Sequence, residues 1–391
     1  MATERLFDKD AYATEFDGTV ISCTKLEDGK YDVVLDKTVF FPEEGGQTPD
    51  NGTLDDIEVL DVQIKDDVIY HTVTKEFECG TSVHGKIDWT HRFNNMQQHS
   101  GEHIFSGLVN SKFGLDNVGF HLSDDIVTMD YNGPLSMIDI KTVEKLVNKA
   151  IYENIDIQIS YPDDKELSEI DYRSKKEILG QVRIVTIPGY DVCACCAPHV
   201  KKTGEIGVLK VVNLSNYKGG VRVSILCGFR ALDLWDFEHD ELNAIAVNMS
   251  TGTDKVRDNI DKMNSEIASL KEKLSKANQE LIEFKVNEIS SEKEDVIVFM
   301  EESDMNVIRR TVNALMDKHE GICGIFGGDD NSGYKYIIGS NTKDAKALLT
   351  KIQNEINIKG GGSERMVQGA VSGISKAELA NILNKNGIEM D

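Results

Sequence analysis

The chain has 391 residues, and its 43 Lys and Arg against 67 Asp and Glu give a net charge of −24. An apolar content of 40% with only 6 prolines is typical of a folded chain of several domains and excludes a disordered or collagen-like protein. The sequence does not open with a basic segment followed by an apolar one, and no apolar run approaches the ~20 residues of a membrane span. We therefore expect a cytoplasmic protein without a membrane partner. Taken alone, the acidic charge argues against a nucleic-acid partner, since phosphate contacts need Lys and Arg.

Residues 1–90 alternate apolar and polar side chains in short runs at positions 18–24, 31–35, 37–41 and 68–73. Asp-Gly, Asn-Gly and Cys-Gly pairs, which favour turns, lie between the runs. The pattern predicts an N-terminal β-barrel or sandwich.

From residue 91 the apolar period becomes helical, and a helix is predicted to begin near Arg92. The stretch 91–235 as a whole predicts an α+β domain. Further helices are predicted at 140–154 and 167–179, and strands at 155–161, 182–186, 207–213 and 221–227.

Residues 236–290 are predicted to form a helical coiled-coil spacer, in which one long helix carries an apolar heptad face. Two pairings of this face are open: an intramolecular hairpin with residues 235–249, or the seam of a homodimer. The seam steps alternately by four and three through Val256, Ile260, Met263, Ile267, Leu270, Leu274, Ala277, Leu281 and Phe284.

Residues 291–391 alternate strands and helices and predict a separate C-terminal α/β domain. The glycine run at 360–362 is either a ligand-binding segment or a plain loop before the last helix. Strands are predicted at 295–300, 321–326 and 334–338, and helices at 307–318, 343–355 and 376–386.

Two histidines lie four residues apart on the first predicted helix. His99 and His103 share one helical face, at about the separation at which both could hold one Zn²⁺. A hydrogen-bonded pair in the protein core is the alternative interpretation of this spacing.

A second pair downstream supplies matching ligands. Three of the seven cysteines crowd into Cys193, Cys195 and Cys196, which suits metal or redox chemistry better than a disulfide framework. Cys195 lies four residues before His199, and Cys193 or Cys196 could replace it as the thiolate. A thiolate and three imidazoles complete a tetrahedral shell. We predict one zinc ion per chain, held by His99, His103, Cys195 and His199.

Gly45, Gly46 and Gln47 follow the predicted strand at 37–41. Paired glycines allow a ligand to approach the backbone closely, and a glutamine amide both donates and accepts hydrogen bonds. A Gly-rich turn between strands is the alternative.

Four motifs together resemble the editing domain of alanyl-tRNA synthetase, in the family's order, over residues 1 to about 235. The heptad helix and the segment Lys359-Gly360-Gly361-Gly362-Ser363 resemble the spacer and the DHHA1-type domain at that synthetase's C-terminus. Because the sequence starts at the barrel, we expect a free-standing editing factor. The four motifs are Thr38-Val39-Phe40-Phe41-Pro42-Glu43-Glu44-Gly45-Gly46-Gln47, Met96-Gln97-Gln98-His99-Ser100-Gly101-Glu102-His103, Gly119-Phe120-His121-Leu122 and Cys195-Cys196-Ala197-Pro198-His199-Val200.

The resemblance implies hydrolysis of the ester in tRNA(Ala) mischarged with serine or glycine, and the same four zinc ligands. It also implies that Thr38 and Gln47 line the aminoacyl pocket beside Gly45 and Gly46, with Thr38 the candidate sensor of the serine hydroxyl. The C-terminal domain, with its glycine run at 360–362, would contact the tRNA and support a homodimer.

Serine must be cleaved and the smaller alanine spared, so size exclusion cannot select the substrate. A site that hydrogen-bonds a hydroxyl rejects the analogue that lacks it, because its own polar groups are left unpaired. Zinc would polarise the ester carbonyl, orient the ribose or activate a water. Four protein ligands close a zinc site, whereas catalytic zinc keeps one position open. Either one of the four is not a permanent ligand, or zinc becomes five-coordinate, or zinc organises the pocket.

The chain departs from the family at two places. Glu44 stands where the family usually has the first of three glycines, and Cys196, Ala197 and Pro198 stand where it has Gly-Gly-Thr. The second change stiffens the loop and removes a hydroxyl.

Two other functions fit some of the residues. The stretch 99–103 matches the H-x-x-E-H pattern of inverzincin metallopeptidases, in which Glu102 would be the general base. In an editing factor, Glu102 is either a catalytic base or a solvated carboxylate on the helix. The third interpretation is a non-enzymatic tRNA-binding module with a structural zinc.

The negative charge is unevenly distributed. Residues 91–235 hold 16 Lys and Arg against 18 Asp and Glu, and residues 201–230 hold six basic side chains against Glu205 alone. A local excess of charge outweighs the net sign within a Debye length, about 8–10 Å at physiological salt. We predict a basic track for tRNA formed by Lys201, Lys202, Lys210, Lys218, Arg222 and Arg230.

Overall fold

The computed structural model describes residues 2–174, 181–289, 292–301 and 304–388. The chain divides into two compact units, Met1–Ile245 and Ala246–Asp391. Both units combine helices and strands, which confirms the predicted mixed α+β, multidomain class. None of the described helices combines the length and the apolarity that a membrane span requires.

The first unit begins with a closed, wholly antiparallel barrel of six strands in the order β2-β3-β7-β6-β5-β8. A short parallel pair, β1 with β4, lies outside the barrel order. The elements are β1 (Glu4–Arg5), α1 (Leu6–Lys9), β2 (Glu15–Lys25), β3 (Tyr31–Leu35), β4 (Lys37–Thr38), β5 (Gly52–Leu54), β6 (Ile57–Lys65), β7 (Val68–Val73) and β8 (Ser82–Ile87).

The strand predicted at 37–41 is wrong beyond Thr38. Val39, Phe40 and Phe41 are all buried, which a pleated strand with alternating side chains cannot achieve while one face meets solvent. Side chains replace the missing ladder partners: the Phe40 backbone N–H donates to the Thr38 hydroxyl, and that of Phe41 donates to Asp50.

The rest of the first unit surrounds a 25-residue helix, α2. A four-stranded sheet of order β14-β15-β10-β9 and a three-stranded sheet of order β11-β12-β13 belong to it. The elements are α2 (Trp89–Phe113), β9 (Asn117–Leu122), β10 (Val127–Tyr131), α3 (Met137–Glu153), β11 (Gln158–Ser160), α4 (Asp164–Ser168), β12 (Ile184–Ile187), β13 (Asp191–Ala194), β14 (Leu209–Tyr217), β15 (Gly220–Cys227) and α5 (Gly228–Asn248).

Capping side chains decide where two helices begin. Asp88 accepts hydrogen bonds from the backbone N–H groups of Thr90 and His91, so α2 starts three residues before the predicted Arg92. Asp163 forms a capping box with Glu166, and α4 ends at Ser168. The helix predicted at 167–179 is therefore wrong over 169–174, and residues 175–180 lie outside the described ranges.

The second unit contains a five-stranded sheet of order β16-β17-β18-β20-β19, parallel only between β16 and β17. The glycine run at 360–362 is part of an edge strand, so the plain-loop alternative is wrong. The elements are α6 (Val256–Glu288), β16 (Val296–Met300), α7 (Met305–Met316), β17 (Cys323–Asp329), β18 (Gly333–Gly339), α8 (Ala345–Gln353), β19 (Lys359–Gly362), β20 (Met366–Val371) and α9 (Lys376–Lys385).

A buried ion pair fixes α2 to the barrel. The Arg92 side chain is completely buried, and its Nε lies 2.9 Å from Asp50 Oδ1. The same guanidinium donates to the carbonyls of Ala11 and Val39, at 2.9 and 2.6 Å. One arginine thereby joins the helix to three barrel segments.

Replacing Arg92 with Met should lower the free energy of unfolding by about 3–5 kcal/mol, because it leaves Asp50 buried without its counter-ion. Urea unfolding followed by the fluorescence of Trp89, whose ring lies 5.2 Å from that of Tyr12, measures this change. The control is Lys86→Met, which breaks an exposed 3.0 Å pair with Glu15 and should cost at most about 1 kcal/mol. Equal losses in the two variants would contradict the assigned role of Arg92.

His71 is sealed inside the barrel. Its Nδ1 donates to the Val33 carbonyl at 3.1 Å, so Nε2 of the neutral ring accepts from the Thr38 hydroxyl at 2.9 Å. Burial lowers the pKa of His71 from 6.5 to about 4, although the Val33 carbonyl acts in the opposite direction.

Stability should therefore fall as the pH drops through this window. Above pH 6.5 neither state is protonated at His71, whereas between pH 6.5 and about 4 only the unfolded state takes up the proton. The expected loss is about 3 kcal/mol at the acid end. Urea midpoints at about pH 7 and about pH 5 should differ less in His71→Phe than in the parent, with the exposed His239→Phe as control. An identical pH dependence in His71→Phe and the parent would refute this assignment.

Candidate metal centre

Helix α2 and the segment after β13 bring four potential ligands together. The ligand atoms of His99, His103, Cys195 and His199 all lie within 4.8 Å of one another. The Cys195 sulfur lies 3.5 Å from His99 Nε2 and 3.4 Å from His199 Nε2. The three histidines are no more than 2% exposed. These are the residues for which the sequence predicts a zinc shell.

Each imidazole of the cluster has a second partner at Nδ1. His99 Nδ1 lies 2.7 Å from the Gln47 side-chain oxygen, and His199 Nδ1 lies 3.0 Å from the Ser100 hydroxyl. His103 Nδ1 lies 2.9 Å from Asp191 Oδ2. Such partners select the tautomer of a metal-ligating histidine and aim its other nitrogen at the metal.

The cluster changes the proton affinity of its own members. Burial raises the pKa of the Cys195 thiol, but the neighbouring His99 and His199 outweigh burial and bring it well below 9.0. Burial lowers the pKa of His199 to about 3. Burial also acts to lower the pKa of His103, but hydrogen bonds to Asp191 and Cys195 prevail and raise it to about 9. A thiolate and neutral imidazoles are the forms that bind a metal. The shifted pKa values favour those forms at Cys195 and His199, whereas His103 must release a proton when a metal binds.

The other two cysteines of this region differ from Cys195. Burial raises the pKa of the Cys193 thiol and of the Cys196 thiol, so both favour the protonated form. Cys193 forms a second, overlapping group with His103 and Asp191. Cys196 lies next to Gly45, and a Cβ built at Gly45 would lie 3.5 Å from the Cys196 sulfur.

Gln47 reaches the cluster because Gly46 lets the chain pass very close to β9. Gly46 has φ of +87°, and a Cβ there would lie 2.6 Å from the Phe120 carbonyl oxygen. Its own carbonyl accepts from the Leu122 backbone N–H at 2.7 Å. The Gln47 side chain is completely buried, and its amide nitrogen has no hydrogen-bond partner within the described ranges.

Thr38 and Glu102 use their side chains elsewhere. Thr38 is completely buried, and its single hydroxyl proton goes to His71. Glu102 is also completely buried, and its Oε1 accepts from Ser106 and Asn117, both at 2.6 Å. The solvated carboxylate expected as one alternative for Glu102 is therefore wrong, because most faces of α2 are covered by protein.

The predicted basic track is largely neutralised by carboxylates from distant segments. Only Lys218 among its six members has no carboxylate partner in the described part of the chain, and its Nζ lies 5.1 Å from the Tyr217 ring centre. The pairs and their N–O distances are Lys201–Asp10 at 3.8 Å, Lys202–Asp156 at 3.0 Å, Lys210–Glu144 at 2.8 Å, Arg222–Asp130 at 2.6 Å and Arg230–Asp124 at 3.9 Å.

The Nδ1 partners Ser100 and Asp191 were not predicted from the sequence. Asp191 follows the segment Pro188-Gly189-Tyr190, which indicates a turn and not a ligand partner. Ser100 and Asp191 each lie far in sequence from the histidine that they contact, so no local spacing predicts these contacts. The one available signal was chemical, since buried ligand histidines are usually paired with an oxygen acceptor.

Two family profiles match parts of the chain. The profile described as tRNA synthetases class II (A) matches residues 13–91, which include the barrel. The profile described as the threonyl and alanyl tRNA synthetase second additional domain matches residues 182–224, which include Cys195 and His199.

Curated relatives match far more of the chain. The alanyl-tRNA editing protein AlaX-L of Pyrococcus horikoshii is 28% identical over 94% of each chain, and the alanyl-tRNA editing protein Aarsd1 of Rattus norvegicus is 26% identical over 97% of each. An alanine–tRNA ligase of Haloquadratum walsbyi is 29% identical over 86% of this chain, but the match spans only 38% of the ligase. The chain is thus similar, over nearly its whole length, to alanyl-tRNA editing proteins, as its motifs predict.

Proposed function

We propose that this protein is an aminoacyl-tRNA deacylase that hydrolyses tRNA(Ala) mischarged with serine, and in addition with glycine, at a zinc centre. The observation that carries the proposal is the juxtaposition of a buried one-thiol, three-imidazole cluster with the unpartnered amide nitrogen of Gln47. The similarity to alanyl-tRNA editing proteins supports the substrate class.

The donor set fits zinc. Thiolate and imidazole are the usual ligands of Zn²⁺, and the Nδ1 partners of the three histidines provide the outer hydrogen bonds that zinc sites require. The ion would be held by Cys195, His99, His103 and His199. When bound, zinc supplies a Lewis acid for an ester carbonyl or a water.

Gln47 is the best candidate for recognising the aminoacyl group of the substrate. Its side-chain oxygen accepts from His99, which orients its amide hydrogens away from that histidine. A buried donor without a partner costs roughly 1–3 kcal/mol, and this cost is recovered when a ligand oxygen arrives. The serine hydroxyl would supply that oxygen and alanine would not. Thr38 is a weaker candidate, because its proton is already donated to His71.

Contacts to the rest of the tRNA are proposed at several places. Lys218 lies at the hairpin between β14 and β15, and it is the member of the basic track that no carboxylate of the described residues neutralises, so its charge is proposed to bind phosphate. Lys201 and Arg222 would have to share their charge with Asp10 and Asp130. In the second unit, which we propose is a DHHA1-type domain, the glycine run at 360–362 is exposed in the edge strand β19.

A homodimer through the second unit is part of the proposal. Apart from Val256, which is buried, the large apolar side chains of the predicted α6 seam are exposed, from 41% at Ile260 to 62% at Leu274 and Phe284. Apolar side chains repeated at heptad positions favour pairing with a second helix.

The metallopeptidase alternative is less well supported. Glu102 would have to act as the general base, but its Oε1 is held by Ser106 and Asn117 in a buried network that also includes Tyr131. A base for water needs an oxygen within hydrogen-bond reach of the reacting group.

The variant Cys195→Ala should lose both bound zinc and deacylation, because it removes the thiolate of the centre. Cys196→Ala is the matched control, because it removes the adjacent thiol. Burial raises the pKa of that thiol, so this variant should keep both bound zinc and deacylation. Bound zinc per chain and the release of serine from Ser-tRNA(Ala) are the measurements. Equal zinc content in Cys195→Ala and the parent would refute the centre. A parent that binds zinc and tRNA but releases no serine would favour the non-enzymatic module.

The variant Gln47→Glu should slow release of serine from Ser-tRNA(Ala) by about 100-fold, because it keeps the oxygen that holds His99 but removes the amide donor. Any release of glycine from Gly-tRNA(Ala) should change much less, since glycine has no hydroxyl. Single-turnover deacylation of both substrates, with zinc content as the folding control, tests this. Equal loss on both substrates would mean that Gln47 contacts the ester and not the hydroxyl.

A further inference from the structure

Asp191 is a buried carboxylate between one candidate metal ligand and one arginine. It is 5% exposed, and its Oδ2 lies 2.9 Å from His103 Nδ1. Arg173 donates two hydrogen bonds to the same carboxylate: its Nε lies 2.7 Å from Oδ1, and its Nη2 lies 2.9 Å from Oδ2. Both carboxylate oxygens are therefore bound.

The partner of His103 differs in charge from the partners of the other two histidines. His99 faces the neutral amide of Gln47, and His199 faces the neutral hydroxyl of Ser100. An anionic acceptor makes a stronger hydrogen bond than a neutral one and increases the basicity of the imidazole as a ligand.

Two features hold Asp191 in place. Two backbone hydrogen bonds of 2.9 Å join Arg173 to β13. The Arg173 N–H donates to the Val192 carbonyl, and the Ala194 N–H donates to the Arg173 carbonyl. On the other side is Gly107, one helical turn after His103 on α2. A Cβ at Gly107 would lie 2.2 Å from the Tyr190 carbonyl oxygen and 2.8 Å from the Asp191 Cβ. Only glycine lets β13 come close enough for Asp191 to reach His103.

We propose that Asp191 is the charged positioning residue of the metal centre. It holds His103 with Nδ1–H toward the carboxylate and directs the other ring nitrogen to the metal, and Arg173 fixes both of its oxygens. The absence of a side chain at Gly107 provides the space. The inference rests on the proposed zinc centre and adds an interaction that tunes how tightly the metal is held.

The test compares the zinc affinity of full-length variants by competition with a chromophoric chelator. Asp191→Asn keeps an acceptor for His103 but loses the charge, and we expect zinc binding about 10-fold weaker than in the parent. Gly107→Ala leaves every charge in place and pushes Asp191 away, and we expect a similar loss. The matched control is Asp130→Asn. It disrupts the bidentate pair of Asp130 with Arg222 in the same unit and should leave zinc affinity unchanged.

Parent-like zinc affinity in both Asp191→Asn and Gly107→Ala would overturn the proposal. If Asp191→Asn does not fold because Arg173 is left without its counter-ion, the double variant Asp191→Asn with Arg173→Gln removes both charges. That double variant should show the same weakened binding, and parent-like binding in it would also overturn the proposal. A parent protein that binds no zinc would refute the proposed centre itself, so the two failures are distinguishable.

Discussion

The ion pair between Arg92 and Asp50 is the constraint on which the rest of the first unit depends. Arg92 is the fourth residue of α2, seven residues before His99, and Asp50 lies three residues after Gln47. The pair therefore holds α2, which carries His99 and His103, against the segment that carries Gln47, the hydrogen-bond partner of His99. Because both charges are buried, the loss of either one leaves the other uncompensated in the protein interior, which is strongly destabilising.

The same helix is unusual in being covered on most of its faces. Gln98 explains how a polar residue is tolerated there: its amide nitrogen donates to the Cys227 carbonyl, and its oxygen accepts from the Cys227 N–H, both at 2.7 Å. The side chain thus pairs with the end of β15 as a neighbouring strand would. Gly101 permits this close packing, since a Cβ there would lie 2.4 Å from the Cys227 sulfur. Helix propensity is lost at such glycines, and tertiary packing compensates for it.

Carboxylates pair with most of the basic side chains in the predicted track. The acidic residues that make the net charge strongly negative are also the partners of most basic side chains near the metal loop. Lys218 is the member of the predicted track that has no carboxylate partner in the described part of the chain.

Local patterns were sufficient to predict the barrel strands at 31–35 and 68–73, the long helix α6 and the membership of His99, His103, Cys195 and His199 in one candidate shell. Those features depend on periodicity or on ligands four residues apart, which the sequence by itself determines. The strands β6 and β13, the early end of β4, and the pairing of the basic track were decided only by the tertiary structure. So were the roles of Gln47, Ser100 and Asp191, because each contacts a histidine at least 50 residues away. The physical reason is that burial and hydrogen-bond satisfaction depend on what packs against a residue, and distant segments supply that packing.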